Sequence, residues 1–345
     1  MSTGTALLEV SGLCVDLGRI PVVSDVSFTV TAGERVGLIG ESGSGKSVTA
    51  LAVIGLLPEG MSARGQVRLE GEPLFGAPER RMSELRGNRV TMVFQEPMSA
   101  LNPLMRVGRQ VAEVLRVHRG MARRAARARV VELFARVGLE EPEQQLRAFP
   151  HQLSGGQRQR VMLAMAIACG PAIVLADEPT TALDVTVQAQ VLRELRQLVD
   201  EEGSSLLLIS HDLAVVASLC ERLLVMYGGR VVESGATSEL LSRPRHPYTA
   251  GLVATSAAVS PDHDRAAGPL PVIAGTVPEL GSFPSGCVFR GRCDRASEVC
   301  QRLPDLAGDD HQVACWHPVN PAPATPPRAA VQAGGPASIG AGSAS

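Results

Sequence analysis

Val36-Gly37-Leu38-Ile39-Gly40-Glu41-Ser42-Gly43-Ser44-Gly45-Lys46-Ser47 is the stretch that decides the fold. Its first four residues form a short apolar run suited to a buried strand. Gly40 to Ser47 fit G-x-x-x-x-G-K-[ST], and Ser47 to Leu57 are apolar and helix-compatible up to Pro58. Strand, glycine-rich loop and helix in that order make a cradle for a phosphate. The glycines let backbone N–H groups turn inward, and the helix N-terminus adds positive partial charge. Lys46 is placed to reach β- and γ-phosphates, and the Ser47 hydroxyl to ligate Mg²⁺.

Composition agrees that this lysine has a task. Of 33 lysines and arginines together, Lys46 is the single lysine. A GC-rich genome explains the arginines but not the one survivor. Lysine is a compact point charge on a thin stem, whereas arginine is a wide planar fork. The chain has 345 residues, 45% of them hydrophobic and 20% charged, enough for a sizeable core in one large domain with an appendage or in two domains. No apolar stretch reaches transmembrane length. Met1 to Val10 have no basic region and no long apolar run, which predicts no secretory leader. A net charge of −2 argues against a cationic nucleic-acid-coating protein, and no nucleic-acid partner is expected.

Outward from the loop, Leu8–Val15 and Val22–Val30 read as β segments with a turn at Gly33. Val107–Leu115 and Ala122–Val137 have helical spacing, and the arginine run 116–129 reads as a solvated helix face. Apolar strands are expected at Ala172–Ala176 and Ser205–Ile209, with a helix over Val185–Val199 between them. Strands alternating with helices imply an α/β core with a largely parallel sheet, and residues 88–168 then form a helical insertion. Residues 256–284 are rich in Pro, Gly and Ala. From Pro318 the chain is almost all small residues and Pro, and is expected to be disordered.

Two further stretches carry chemistry. Ile173-Val174-Leu175-Ala176-Asp177-Glu178 is an apolar strand ending in two acids. Buried charges are costly without a task. Asp177 is placed to hold Mg²⁺, and Glu178 to orient or activate an attacking water. Leu153-Ser154-Gly155-Gly156-Gln157 opens a helix to about Cys169, with Ser154 as N-cap and two glycines that permit close approach.

In this order, the motifs resemble those of an ABC-transporter ATPase: Walker A at 40–47, Gln95 after the strand Thr91–Phe94, the signature at 153–157, Walker B at 173–178, Ala182-Leu183-Asp184, and His211 after the strand Leu206–Ser210. The resemblance implies an α/β P-loop NTPase cassette with an N-terminal antiparallel β subdomain and a helical subdomain. It makes ATP and Mg²⁺ the ligands, with Gly40–Ser47, Gln95, Ser154, Gly155, Gly156, Gln157, Asp177 and Asp184 at the nucleotide. Gln95 would contact Mg²⁺ beside Ser47 and Asp177 and lie near a membrane subunit. Glu178, His211, Gln95 and Lys46 would carry catalysis. The signature of one subunit would close over the ATP of another. One departure stands out: where the family places an adenine-stacking aromatic, this chain has Leu17, and no aromatic occurs before Phe28.

Val93-Phe94-Gln95-Glu96-Pro97-Met98-Ser99-Ala100-Leu101-Asn102-Pro103, the run Asp177 to Gln190, and His246-Pro247-Tyr248-Thr249 resemble the D-type ATPase of oligopeptide and dipeptide importers. Nickel and other small-solute importers are the alternative, and a non-transport ABC ATPase is more remote. The resemblance implies two transmembrane permease subunits, a second ATPase subunit (a heterodimer, or a homodimer), an extracytoplasmic binding protein reached indirectly, and a peripheral place on the cytoplasmic face of the inner membrane. It divides the chain into a cassette at 1–254, a small Cys-rich C-terminal extension at 255–317 and a tail at 318–345.

Cys287, Cys293, Cys300 and Cys315 are spaced C-x5-C-x6-C-x14-C. In a reducing compartment they read as metal ligands, and by resemblance as a [4Fe–4S] cluster. Zinc, with His311 and His317 nearby, and unliganded thiols are the alternatives. Cys14, Cys169 and Cys220 read as small buried hydrophobes.

Overall fold

A computed structural model describes residues 5–95, 100–180, 184–259 and 272–319. Glu96–Ser99, Ala182-Leu183 and nearly all of the expected disordered tail lie outside the described residues. The strands are β1 (Ala6–Leu17), β2 (Ile20–Thr31), β3 (Arg35–Ile39), β4 (Met61–Leu69), β5 (Glu72–Pro73), β6 (Val90–Val93), β7 (Ile173–Asp177), β8 (Ser205–Ser210), β9 (Arg222–Tyr227), β10 (Arg230–Ala236) and β11 (Gln312–Val313). They form an antiparallel sheet in the order β2-β1-β4-β5 and a larger sheet in the order β11-β10-β9-β3-β8-β7-β6. The larger sheet is parallel from β9 to β6 and antiparallel at the β9-β10-β11 edge.

The apolar runs explain this layering. Every residue of β7 and β8 is buried. Such strands need cover on both faces, and the two-residue side-chain period supplies it. Ile173 and Leu175 join Leu207 and Ile209 in a core shared with the antiparallel sheet, whereas Val174 and Ala176 join Leu206 and Leu208 in a core shared with the helices. The large sheet is therefore the middle layer, and its β3 and β7 ends carry the loops that matter.

Several boundaries differ from expectation for local reasons. The helix after the phosphate loop spans Lys46–Val53 and stops before Leu57, because Gly55 takes a left-handed φ of 66°. The helix Val185–Glu202 runs past Val199 to Gly203, whose φ is 64°. Within 88–168, Val90–Val93 is a strand of the large sheet, and the helices Val107–Arg119, Arg123–Arg136 and Gly155–Ile167 follow it. Arg116, Arg123, Arg124 and Arg127 are exposed, as a solvated face requires. β4 carries few buried residues, so its sequence has little strand signature. Cys169 and Cys220 are buried, and Cys14 is half-buried. No described helix is long and apolar enough to cross a membrane.

The C-terminal stretch packs into the helical-side core: Cys287, Phe289 and Cys300 share it with Tyr227 and Tyr248. Its strand β11 pairs with β10 through Glu233↔Val313 and Ser234↔Gln312. The Glu233 carboxylate, fully buried, accepts from the Arg245 and His246 N–H groups at 2.7 and 2.9 Å and meets His311 Nε2 at 2.7 Å. A buried carboxylate is tolerated when its lone pairs are matched in this way.

Candidate functional site

The phosphate loop connects β3 to the helix Lys46–Val53. Two glycines are required there. Gly45 has a φ of 97°, and a Cβ on Gly40 would stand 2.2 Å from the Met226 carbonyl oxygen. Lys46 is buried, and its Nζ donates to the Gly40 and Glu41 carbonyls at 2.8 and 3.0 Å. Burial pushes the Lys46 pKa down, while Glu178, Asp177 and Glu41 oppose that shift. A buried ammonium in a glycine-rich loop that opens a helix suits a polyphosphate.

Ser47 Oγ donates to Asp177 Oδ1 at 2.9 Å. Burial raises the Asp177 pKa, and the Ser47 hydrogen bond opposes it. A desolvated carboxylate beside a hydroxyl is a hard oxygen donor pair, which fits Mg²⁺. Glu178, the next residue, adopts a left-handed φ of 46° at the end of β7. A non-glycine residue there is uncommon and turns the side chain sharply off the strand. Its Oε2 accepts from Gln95 Nε2 at 3.2 Å, and its Oε1 lies 3.0 Å from His211 Nδ1. Gln95 follows β6 and His211 follows β8, the strands on either side of β7. The parallel register thus brings three strand ends together beside the loop.

A cleft of about 770 Å³ collects Glu41, Ser42, Gly43, Gly45, Lys46, Ser47, Gln95, Glu178 and His211. Its apolar wall is Val22, Val48, Met61, Leu252 and Leu280. Leu17 is not among its lining residues; its cross-strand partner Met61 is. A base entering this cleft meets aliphatic side chains and no described aromatic.

The signature stands apart. Ser154 caps the helix Gly155–Ile167, its Oγ accepting from Gln157 N at 3.2 Å while Gln157 Oε1 accepts from Ser154 N at 2.9 Å. A Cβ on Gly156 would lie 2.8 Å from Val187 Cγ1, so this glycine serves helix packing. Asp184 caps the helix Val185–Glu202 by accepting from Val187 N at 3.0 Å. Neither the signature nor Asp184 lines the cleft of its own chain.

The four-cysteine expectation is corrected. Among the described residues, no group of three or more His, Cys, Asp or Glu is arranged to hold a metal ion. Cys287, Cys293, Cys300 and Cys315 do gather in one lobe as free thiols, two buried and two half-buried. Burial and their mutual repulsion push Cys287 and Cys293 up and Cys315 to about 11. Neither the [4Fe–4S] cluster nor zinc is supported. Cys287 and Cys300 instead act as core packing.

Two residues that hold the loop were not singled out as site residues by the sequence. The Tyr248 hydroxyl accepts from Glu41 N–H at 2.8 Å, and Arg292 grips the Glu41 carboxylate with contacts of 2.5 and 3.2 Å. Tyr248 was legible only as part of the segment opening the C-terminal region.

Residues 23–181 match the ABC transporter family, and residues 232–300 match the oligopeptide/dipeptide transporter C-terminal region. The chain is 47% identical to a probable D,D-dipeptide transport ATP-binding protein of Escherichia coli, covering 87% of this chain and 92% of the relative. It is 42% identical to the oligopeptide transport ATP-binding protein OppD of Salmonella typhimurium, covering 91% and 94%. Among solved structures, a dimeric ATP-binding cassette in a post-hydrolysis state with ADP and Pi matches with a TM-score of 0.59 and 29% identity, covering 67% of this chain and 98% of that one.

Proposed function

The chain belongs to the ATP-binding subunits of ABC transporters that carry the oligopeptide/dipeptide C-terminal region, and we propose that it hydrolyses ATP to drive peptide import across the bacterial inner membrane. The ATPase class follows from the family. The peptide cargo is supported by the relatives, which are described as dipeptide and oligopeptide transport ATP-binding proteins. The observation that carries the mechanism is the convergence of Gln95, Glu178 and His211 on one side of the phosphate loop.

In this mechanism the loop N–H groups and Lys46 hold the β- and γ-phosphates. Ser47, Asp177 and Gln95 would hold Mg²⁺, which would supply charge neutralisation at the phosphates. Glu178 orients the attacking water and takes up its proton, and His211 fixes the Glu178 carboxylate while sensing the γ-phosphate. Ser154, Gly155, Gly156, Gln157 and Asp184 serve the nucleotide of a second ATPase subunit, which is why they stand away from their own cleft. Closure of that dimer moves two permease subunits docked near Gln95, and a binding protein delivers cargo on the far side. The cassette at 1–254 does this work, and the region at 255–317 is its C-terminal extension.

Affinity purification of the chain from detergent-solubilised membranes tests this reading. Two permeases with peptide-importer relatives should co-purify, together with ATPase activity. Co-purification with non-transport proteins alone would reject it.

A further inference from the structure

We propose that Arg292, far along the chain, is a positioning residue for the phosphate loop: it neutralises Glu41 and keeps that carboxylate turned away from the bound polyphosphate. The proposal rests on the reading that Gly40–Ser47 hold ATP. Glu41 is an anomaly on that reading. It puts an anionic side chain into a loop whose ligand is strongly anionic, and it lines the same cleft as Lys46. Left alone it would repel the phosphates and compete with them for the Lys46 ammonium, which already feels its charge.

The structure disposes of this charge from outside the cassette core. Arg292 Nη1 and Nη2 donate to the two Glu41 carboxylate oxygens at 2.5 and 3.2 Å, a bidentate pair. The Arg292 side chain is only 7% exposed, and that of Glu41 is 25% exposed. The guanidinium is held rigidly: its Nε donates to the Ala274 carbonyl at 2.8 Å, and it lies over the Tyr227 and Phe289 rings at 5.7 and 5.9 Å. Tyr248, packed against both rings, accepts the Glu41 N–H, so the same aromatic cluster fixes backbone and side chain of one loop residue. Residues 251 positions apart are thereby joined at the nucleotide cleft. Simple structural stapling would not require the partner to be the loop's only acidic side chain.

A double-mutant cycle on the full-length chain tests the proposal, with ATP affinity read by displacement of a fluorescent ATP analogue. Arg292→Met should weaken ATP binding about tenfold or more, the size of one charge-assisted pair. Arg292→Lys should recover part of the loss. Arg292→Met combined with Glu41→Gln should bind within about threefold of wild type, because the offending charge is gone. A purely structural Arg292 predicts no such rescue. If Arg292→Met does not fold, as judged by its melting curve, Arg292→Gln, which keeps N–H donors without charge, takes its place in the cycle. Wild-type affinity in the Arg292 single variant overturns the proposal alone, as does a double variant no better than the single. Failure of the wild-type chain to bind ATP overturns the proposal together with the phosphate-loop reading.

Discussion

Glu178 Oε1 lies 3.0 Å from His211 Nδ1, although the two residues end different strands and are separated by 33 positions. The left-handed backbone at Glu178 and the Gln95 amide on its other oxygen hold the carboxylate in that place. A carboxylate pinned on both oxygens has a fixed direction, which is what orienting a water requires.

Glu178→Gln should bind ATP with near-normal affinity and lose hydrolysis by at least about a hundredfold, the usual contribution of a positioned base. The amide keeps the size and can still meet Gln95 and His211. Single-turnover ATPase measurements on the assembled complex decide the matter, and near-wild-type turnover would remove Glu178 from the role of base.

Lys46→Arg should also abolish useful hydrolysis, despite keeping the charge. The Lys46 ammonium sits between loop carbonyls at 2.8 and 3.0 Å in a buried site. A planar fork needs more width and two acceptors in one plane. Because the chain has no other lysine, an amine-directed reagent should modify only the N-terminus and Lys46, and ATP should protect the latter. Mass spectrometry of labelled peptides with and without ATP measures this.

Acid should loosen the junction between β10 and the C-terminal stretch through His246. Full burial pushes its pKa down to about 3, and its Nδ1 accepts from Tyr248 N at 3.1 Å, which requires the neutral ring. A folded pKa below the unfolded value means the stabilisation is complete above about pH 6.5 and is lost as pH falls towards the folded value. Between about pH 6.5 and 5 this group alone should remove about 2 kcal/mol. Urea unfolding at both pH values should show that loss in wild type. His246→Asn, which keeps an acceptor without titrating, should be less stable at neutral pH but have a flatter acid limb.

Gly37→Ala should destabilise the fold without touching the cleft. A Cβ there would stand 1.9 Å from Val216 Cγ1 and 2.8 Å from Leu223 Cδ2, inside the seam between β3 and the helix Leu213–Leu219. Overpacking of this kind costs about 1–3 kcal/mol or more. Thermal melts would register it, and an unchanged Tm would mean the helix slides freely.

The legible parts of the sequence were those whose chemistry is local. Gly40 to Ser47 and Ile173 to Glu178 read directly, since loop, strand and acid are contiguous. Gln95 and His211 became legible only through the order of surrounding motifs, because a glutamine or histidine after a strand carries no signal by itself. The Tyr248 and Arg292 contacts with Glu41 span 207 and 251 positions and leave no pattern that a single sequence could reveal. The cysteines failed for the opposite reason. Their spacing invites ligation, but spacing does not say whether the folded chain arranges the thiols around one point, and among the described residues no such group is arranged to hold a metal ion.

The most direct test of the central claim is ATP-dependent uptake of a radiolabelled dipeptide and a longer oligopeptide into proteoliposomes holding the complete transporter, with its binding protein on the side that presents cargo. The account predicts uptake of peptide with the wild-type chain, none without ATP, and none with Glu178→Gln. Uptake that persists in the Glu178→Gln complex, or ATP hydrolysis by a complete wild-type complex that moves no peptide, would contradict it.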